Sequence, residues 1–371
     1  MTPRPTVLCI AGTRPEVIKM APVVQRLQQP DSPLAVTLCI TAQHRGLTDD
    51  VLRVFGLVPD VDLDLMRPGQ TLPELTSALF LRLGDLFAKT RPDWVLVQGD
   101  TTSAMVGAMS AFYARIKVGH VEAGLRTGNL AEPFPEEMNR AVIGRVSDLH
   151  FAPTERARAN LVAEAIPPAR ILVTGNTAID ALRWAVGRPQ PAEAPAIDPD
   201  VPTILVTLHR RESFGEPMAG MCRAIRDVAE THRDRVRFIC PVHPNPNVGP
   251  VMRQILGDLP NVTLTAPLDY LSTVHTLARC RFVVTDSGGI QEEAPSLGKP
   301  VLVLRNTTER PEGVDAGTAR LVGTDRQAVF DAITTLLTDE PAYVRMANAV
   351  SPYGDGTAAD RIVRALDAWQ E

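Results

Sequence analysis

The run Thr6-Val7-Leu8-Cys9-Ile10-Ala11-Gly12-Thr13-Arg14-Pro15-Glu16-Val17-Ile18-Lys19 sets the pattern for the chain. Six mostly apolar residues read as a buried strand, and Gly12 permits a tight turn. Pro15 suits the first position of a helix, where its missing N–H costs nothing. The same figure recurs. In the first half, apolar strands are expected at Thr6–Ile10, Ala35–Thr41, Trp94–Gln98, Lys117–Val121, Leu149–Ala152 and Ile171–Val173, with helices at Pro15–Gln28, Leu72–Lys89, Thr102–Ala114 and Glu137–Val146. The second half repeats it, with strands at Thr203–Leu208, Val236–Cys240, Val262–Leu264, Phe282–Thr285, Val301–Leu304 and Arg320–Val322. Continuous apolar runs alternating with helices imply parallel sheets covered on both faces.

At 371 residues the chain is too long for one ordinary domain. A Pro/Ala-rich stretch, Gly187 to Pro202, divides the halves. The reading is α/β, with a Rossmann-like domain over 1–175 and a second over 176–357. The last helix, expected at 358–371, packs back onto the first domain. No window approaches the length of apolar sequence that a membrane span needs. The N-terminus lacks a basic leader and a long apolar core, so a cytoplasmic location is expected. A net charge of −5 without a basic run argues against nucleic-acid binding. Cys9, Cys39, Cys222, Cys240 and Cys280 form no CxxC and read as small buried hydrophobes.

In open parallel sheets, ligands bind beyond the carboxyl ends of the strands. Arg14 and Lys19 flank a helix start, whose free N–H groups attract anions. After Phe282–Thr285 come Asp286, Ser287, Gly288 and Gly289. Ser287 can cap a helix or donate to phosphate, the glycines admit a ligand close to the backbone, and Glu293 can take ribose hydroxyls. Arg310 follows the next strand and supplies a second cation. Asp100 and Glu122 end strands directly, and Glu136 opens a helix. Each alone also reads as an ordinary cap; together they offer the two or more separable acids that proton transfer needs. Arg140 lies one turn beyond Glu136. His209 and His243 end strands of the second half, without any metal-ligand spacing. No GxGxxG run signals a nicotinamide cofactor. These residues suggest chemistry on a phosphorylated or nucleotide-linked small molecule.

Several runs carry a family resemblance. They are Gly12-Thr13-Arg14-Pro15-Glu16, Gln98-Gly99-Asp100-Thr101-Thr102-Ser103, Gly119 through Thr127, Pro133-Phe134-Pro135-Glu136-Glu137-Met138-Asn139-Arg140, His209 through Gly215, and Thr285 through Arg310. In this order they resemble the bacterial non-hydrolysing UDP-N-acetylglucosamine 2-epimerases. The resemblance implies GT-B architecture, meaning two Rossmann-like domains with an interdomain cleft. It implies a homodimer, no cofactor and no metal. It also implies interconversion of UDP-GlcNAc and UDP-ManNAc by elimination of UDP to 2-acetamidoglucal and re-addition, supplying precursors for cell-surface polysaccharide.

By the same resemblance, Asp100, Glu122, Glu136 and His209 are catalytic. Arg14, Lys19, Arg140, Ser287, Gly288, Gly289, Glu293 and Arg310 bind substrate, and Gln43, Arg210 and His243 belong to an allosteric site. Leu208 stands where Gly often precedes the HRRE run, and Gly46 and Gly69 stand where some members carry polar side chains. The loop Pro267–Thr273 lacks the Gln and Phe that frame uracil. A hydrolysing epimerase, a GT-B glycosyltransferase and a nucleotide-sugar sensor are the competing readings. The sensor is expected to lack Asp100, Glu122 or Glu136, and all three are present.

Overall fold

Strand β1 (Thr6–Ala11) has every residue but its first buried, which is what an apolar run flanked by parallel neighbours requires. A computed structural model describes residues 4–41, 45–67 and 69–369 of the chain. They divide into two units, one of residues up to Ala181 together with Tyr353 onward, the other Leu182–Pro352. The first contains β1, β2 (Ala35–Ile40), β3 (Val61–Asp62), β4 (Trp94–Gln98), β5 (Lys117–Val121), β6 (Leu149–Ala152) and β7 (Ile171–Val173). They pair in parallel in the order β3-β2-β1-β4-β5-β6-β7. The second contains β8 (Thr203–Thr207), β9 (Arg237–Pro241), β10 (Val262–Thr265), β11 (Phe282–Thr285), β12 (Val301–Val303) and β13 (Ala319–Leu321). Its parallel order is β10-β9-β8-β11-β12-β13. Two doubly wound parallel-sheet units make the GT-B class.

In both sheets the winding reverses beside the first strand. The switch point lies between β1 and β4 in the first unit, and between β8 and β11 in the second. The crevice for a ligand opens there, because the loops leave the sheet in opposite directions. The helices cover both faces. Leu75, Leu79, Leu83 and Phe87, at helical spacing on the Leu72–Thr90 helix, pack with Leu8, Ile10, Val95 and Val97. In the second unit, Met221, Ile225 and Val228 of the Glu216–Thr231 helix pack with Val206, Phe238 and Val284.

The unit boundary falls inside the Thr177–Val186 helix, beyond the 175/176 position expected from sequence. The reason is local. Asn176 bonds Glu122, and Asp180 accepts from the backbone of Ala358 and Ala359, so this helix start is tied to the first unit. The Ala358–Ala368 helix lies on the Arg14–Leu27 helix, where Arg26 Nε meets Asp360 at 2.8 Å. All five cysteines are buried and outside any disulfide, and burial pushes the Cys39, Cys222 and Cys280 thiols up to about 12. Among the described residues, no helix is long and apolar enough to cross a membrane.

Candidate active site

In the first unit, β1 ends at Ala11 and the chain turns at Gly12. A Cβ there would fall 2.5 Å from both Ser103 Oγ and Thr41 Oγ1, so only glycine lets the loop seat against the helix that follows β4. Glu16 holds the turn. It is 1% exposed; its Oε2 accepts from the N–H groups of Gly12 and Thr13, and its Oε1 from Thr101 Oγ1 at 2.6 Å. Burial pushes its carboxyl above the usual range, although those hydrogen bonds oppose the rise. Glu16 thus fastens the β1 loop to the β4 loop. In the sequence Glu16 stands only as one residue of the run 12–16, with no signal of this role.

Glu122 follows β5 with a left-handed φ of +64°, an unusual conformation for a non-glycine residue, found where surroundings over-determine the backbone. Its Oε1 accepts from Lys19 Nζ at 2.5 Å and Asn176 Nδ2 at 3.0 Å, and its Oε2 accepts from Gln98 Nε2. Asp100, just past β4, is half-buried and meets Arg140 Nη2 at 2.6 Å. Asn139 Nδ2 donates to the Asp100 carbonyl at 2.8 Å. Burial lifts the Asp100 carboxyl; Arg140 and Lys19 pull it down, while the charges of Glu122 and Glu136 push it up. Glu136, half-buried, is the first residue of the Glu136–Val146 helix. Its neighbour Glu137 accepts from the N–H groups of Thr127 and Gly128, pinning the preceding loop.

The first unit therefore gathers Asp100, Glu122, Glu136, Arg140 and Lys19 into one electrostatic neighbourhood. Lys19, expected against phosphate, is paired with a carboxylate. Arg14, half-buried, opens the helix at the same switch point. Gln43 lies outside the described residues.

The second unit has a matching arrangement at its own switch point. Thr207 and Thr285, the last residues of β8 and β11, share a hydrogen bond of 2.6 Å. Beyond them lies Asp286, wholly buried, whose position after a strand carries no signal in sequence that separates it from an ordinary cap. It accepts from the N–H groups of His209 and Arg210, and its Oδ1 lies 3.1 Å from His209 Nδ1. The His209 ring stacks on His243, with centroids 5.5 Å apart. Burial, and then His209, draws the His243 imidazole below its ordinary value.

Ser287 precedes the short Gly288–Glu293 helix as its N-cap residue, but its side chain makes no capping bond. A Cβ on Gly288 would meet Arg210 Nη2 at 3.4 Å and Arg310 Cζ at 3.7 Å, so two guanidiniums converge on this bare backbone. Gly289 is exposed beside them, and Glu293, half-buried, ends the helix. Arg310 is steered by Glu292, at 2.5 Å from its Nε. The Thr308 hydroxyl donates to Gln291, whose amide donates to the Ser287 carbonyl. Arg305 binds Glu212 and Glu309; burial disfavours the Glu309 charge, yet Arg305 holds that carboxyl down at about 2.

Two chemistries are therefore provided. The first unit has carboxylates in contrasting settings, one locked by donors and one raised by burial, which suits proton transfer. The second has fork-shaped cations around a glycine backbone, which suits a phosphate or diphosphate. Among the described residues, no group of three His, Cys, Asp or Glu side chains is gathered to hold a metal ion.

Comparisons with known proteins identify the family. The family model described as UDP-N-acetylglucosamine 2-epimerase matches residues 26–367. The UDP-N-acetylglucosamine 2-epimerase of Escherichia coli O157:H7 is 51% identical over 369 residues, covering 97% of this chain and 98% of its own. That of Bacillus subtilis is 50% identical over 363 residues, covering 97% of this chain and 94% of its own. The crystal structure of the Neisseria meningitidis UDP-GlcNAc 2-epimerase bound to UDP-GlcNAc is 44% identical, with a TM-score of 0.90 over 97% of this chain and 99% of that one. The chain belongs to the UDP-N-acetylglucosamine 2-epimerase family.

Proposed function

We propose that the chain interconverts UDP-GlcNAc and UDP-ManNAc without net hydrolysis. The observation that carries this reading is the meeting of Asp100, Glu122, Glu136, Arg140 and Lys19 in one neighbourhood, in a chain 51% identical to a named UDP-N-acetylglucosamine 2-epimerase. The C2 proton of the sugar is weakly acidic, because no carbonyl is attached to C2. Elimination avoids the need for a free carbanion. A carboxylate takes the C2 proton while the C1–O bond breaks, and its electrons leave with UDP. The product is 2-acetamidoglucal. Re-addition of UDP at C1, with a proton delivered to the other face of C2, gives the epimer.

Charge develops on the departing diphosphate, and Arg310, Arg210 and the Gly288–Gly289 backbone are suited to meet it. Asp100, whose carboxyl burial raises, is suited to exchange a proton, with Glu136 nearby. His209, oriented by Asp286, serves the leaving oxygen. Arg210 was expected at a separate effector site. Its guanidinium beside Gly288 favours a role with the diphosphate. His243, stacked on His209, is read with the same loop. We further assign the chain to a homodimer that supplies ManNAc-type precursors, as the family resemblance implies.

The test is incubation of the purified protein with UDP-GlcNAc in D2O, followed by NMR. The expected product is UDP-ManNAc carrying deuterium at C2. Release of free ManNAc would replace this reading by hydrolysis, and binding without exchange would leave a sensor. Glu122→Gln is expected to lower exchange by about 10²-fold or more while the fold survives.

A further inference from the structure

The two oxygens of Glu122 are met by two buried amides. Gln98, the last residue of β4, is 2% exposed and donates to Oε2. Asn176, before the Thr177–Val186 helix, is 3% exposed and donates to Oε1 at 3.0 Å. The orientation of the Asn176 amide is fixed independently. Its Oδ1 accepts from the Ala178 N–H at 3.0 Å, so its Nδ2 is the end turned to the carboxylate. Its own N–H donates to the Tyr353 carbonyl at 2.8 Å, fixing the backbone as well. Gly99, with a φ of +71°, turns the chain directly beside Glu122; a Cβ there would lie 3.6 Å from Oε2.

A carboxylate facing two amide donors and an ammonium is an acceptor at each contact. A proton on either oxygen would confront an N–H, so these donors favour the ionised form and one rotamer. We propose that Gln98 and Asn176 are positioning residues for the reaction, a pair of amides that keep Glu122 ionised and fixed in orientation before substrate binds. The inference rests on the epimerase reading above and deepens it. Both amides act through Glu122, the carboxylate to which they donate. With Lys19 they preset the field in which Asp100 changes its protonation, so no dipole need reorganise during the reaction.

Charged and titratable groups that act on Glu122 include Lys19 on the Arg14–Leu27 helix, Asp100 after β4 and His120 on β5, and Asp100 in turn feels Glu136 and Arg140 of the Glu136–Val146 helix. Gln98→Glu sets a second carboxylate against Oε2, and Asn176→Asp removes the other donor while keeping the acceptor for Ala178. Each is expected to lower kcat about tenfold or more, to change KM less than about threefold, and to move the acid limb of the kcat–pH profile upward. Gln98→Met, which adds no charge, is expected to move that limb in the same direction by less.

If the folded variants keep wild-type kcat and the wild-type acid limb while only their melting temperatures fall, the amides are merely structural and the proposal is overturned. If Gln98→Glu does not fold, Asn176→Asp and Gln98→Met decide by the same readout. Wild-type protein that produces no UDP-ManNAc would instead remove the epimerase reading, and this proposal with it.

Discussion

At the scale of single residues, each unit sets one acidic side chain at the end of a central strand and surrounds it with donors. Glu122 does this after β5 and Asp286 after β11. The second arrangement bears on His209. Asp286 receives two backbone N–H groups and faces His209 Nδ1 at 3.1 Å, so it fixes ring orientation and favours a proton on Nδ1. The opposite nitrogen, Nε2, is then the acceptor of the ring. Asp286→Asn keeps the size but ends this preference. It is expected to lower kcat by about 10²-fold or more with a smaller change in KM, measured by steady-state kinetics. Equal kcat in the variant would show that Asp286 only stitches the loop together. Asp100, Glu122 and Glu136 were legible from sequence because they follow strands or open a helix. Asp286, Gln98 and Asn176 were not, since a polar residue at a strand end looks the same whether it supports a loop or aims another side chain.

At the scale of elements, strands and long helices were read to within a few residues wherever the apolar period was sustained. The expected strand Val236–Cys240 is Arg237–Pro241, a shift of one residue. The strand Val61–Asp62 was not read, because two residues at a sheet edge carry no period. The helices Arg45–Phe55, Glu155–Ala163 and Glu340–Ala347 were also not read, although Thr154 and Asp339 cap the starts of the second and third. The last helix shows how an element can take its cap from elsewhere. Thr357, its N-cap residue, makes no capping bond; Asp180 accepts from Ala359 N at 2.8 Å and Ala358 N at 3.2 Å instead. Trp369, just past the helix, meets Trp94 of β4 edge-on at 6.3 Å. Asp180→Ala is expected to cost about 1–2 kcal/mol, the usual range for a lost cap, measured by urea unfolding. An unchanged midpoint would mean that packing on the Arg14–Leu27 helix suffices to hold the end.

At the scale of the whole molecule, acid should weaken the two units differently. His120 and His150 stand opposite each other on β5 and β6, both buried. Burial, first of all, draws their imidazoles down to about 3 and about 4. An unfolded imidazole titrates near 6.5, at about which pH the unfolded chain begins to bind protons that the folded first unit refuses. Stability is therefore full above about pH 6.5 and falls as pH drops toward 3–4, by up to about 1.4 kcal/mol per pH unit for each ring. Glu309 of the second unit, held at about 2, keeps its contribution above its unfolded value and loses it only as pH falls from there toward 2. Calorimetry from pH 7.5 to 5 is expected to show a falling melting temperature, with a shallower fall in His150→Leu. Equal slopes in the two proteins would contradict this origin.

What the sequence determined by itself was the alternation of apolar strand and amphipathic helix, the two-unit organisation and the strand-end positions of the acids. All of these follow from local periodicity and turn chemistry, which a linear chain displays. Only the tertiary structure decided the partners: Lys19 with Glu122, Asp100 with Arg140, Asp286 with His209 and Asp180 with the last helix. These pairs join residues far apart along the chain. Hydrogen bonds and burial act over a few ångströms of space, and separation in sequence does not reveal that distance.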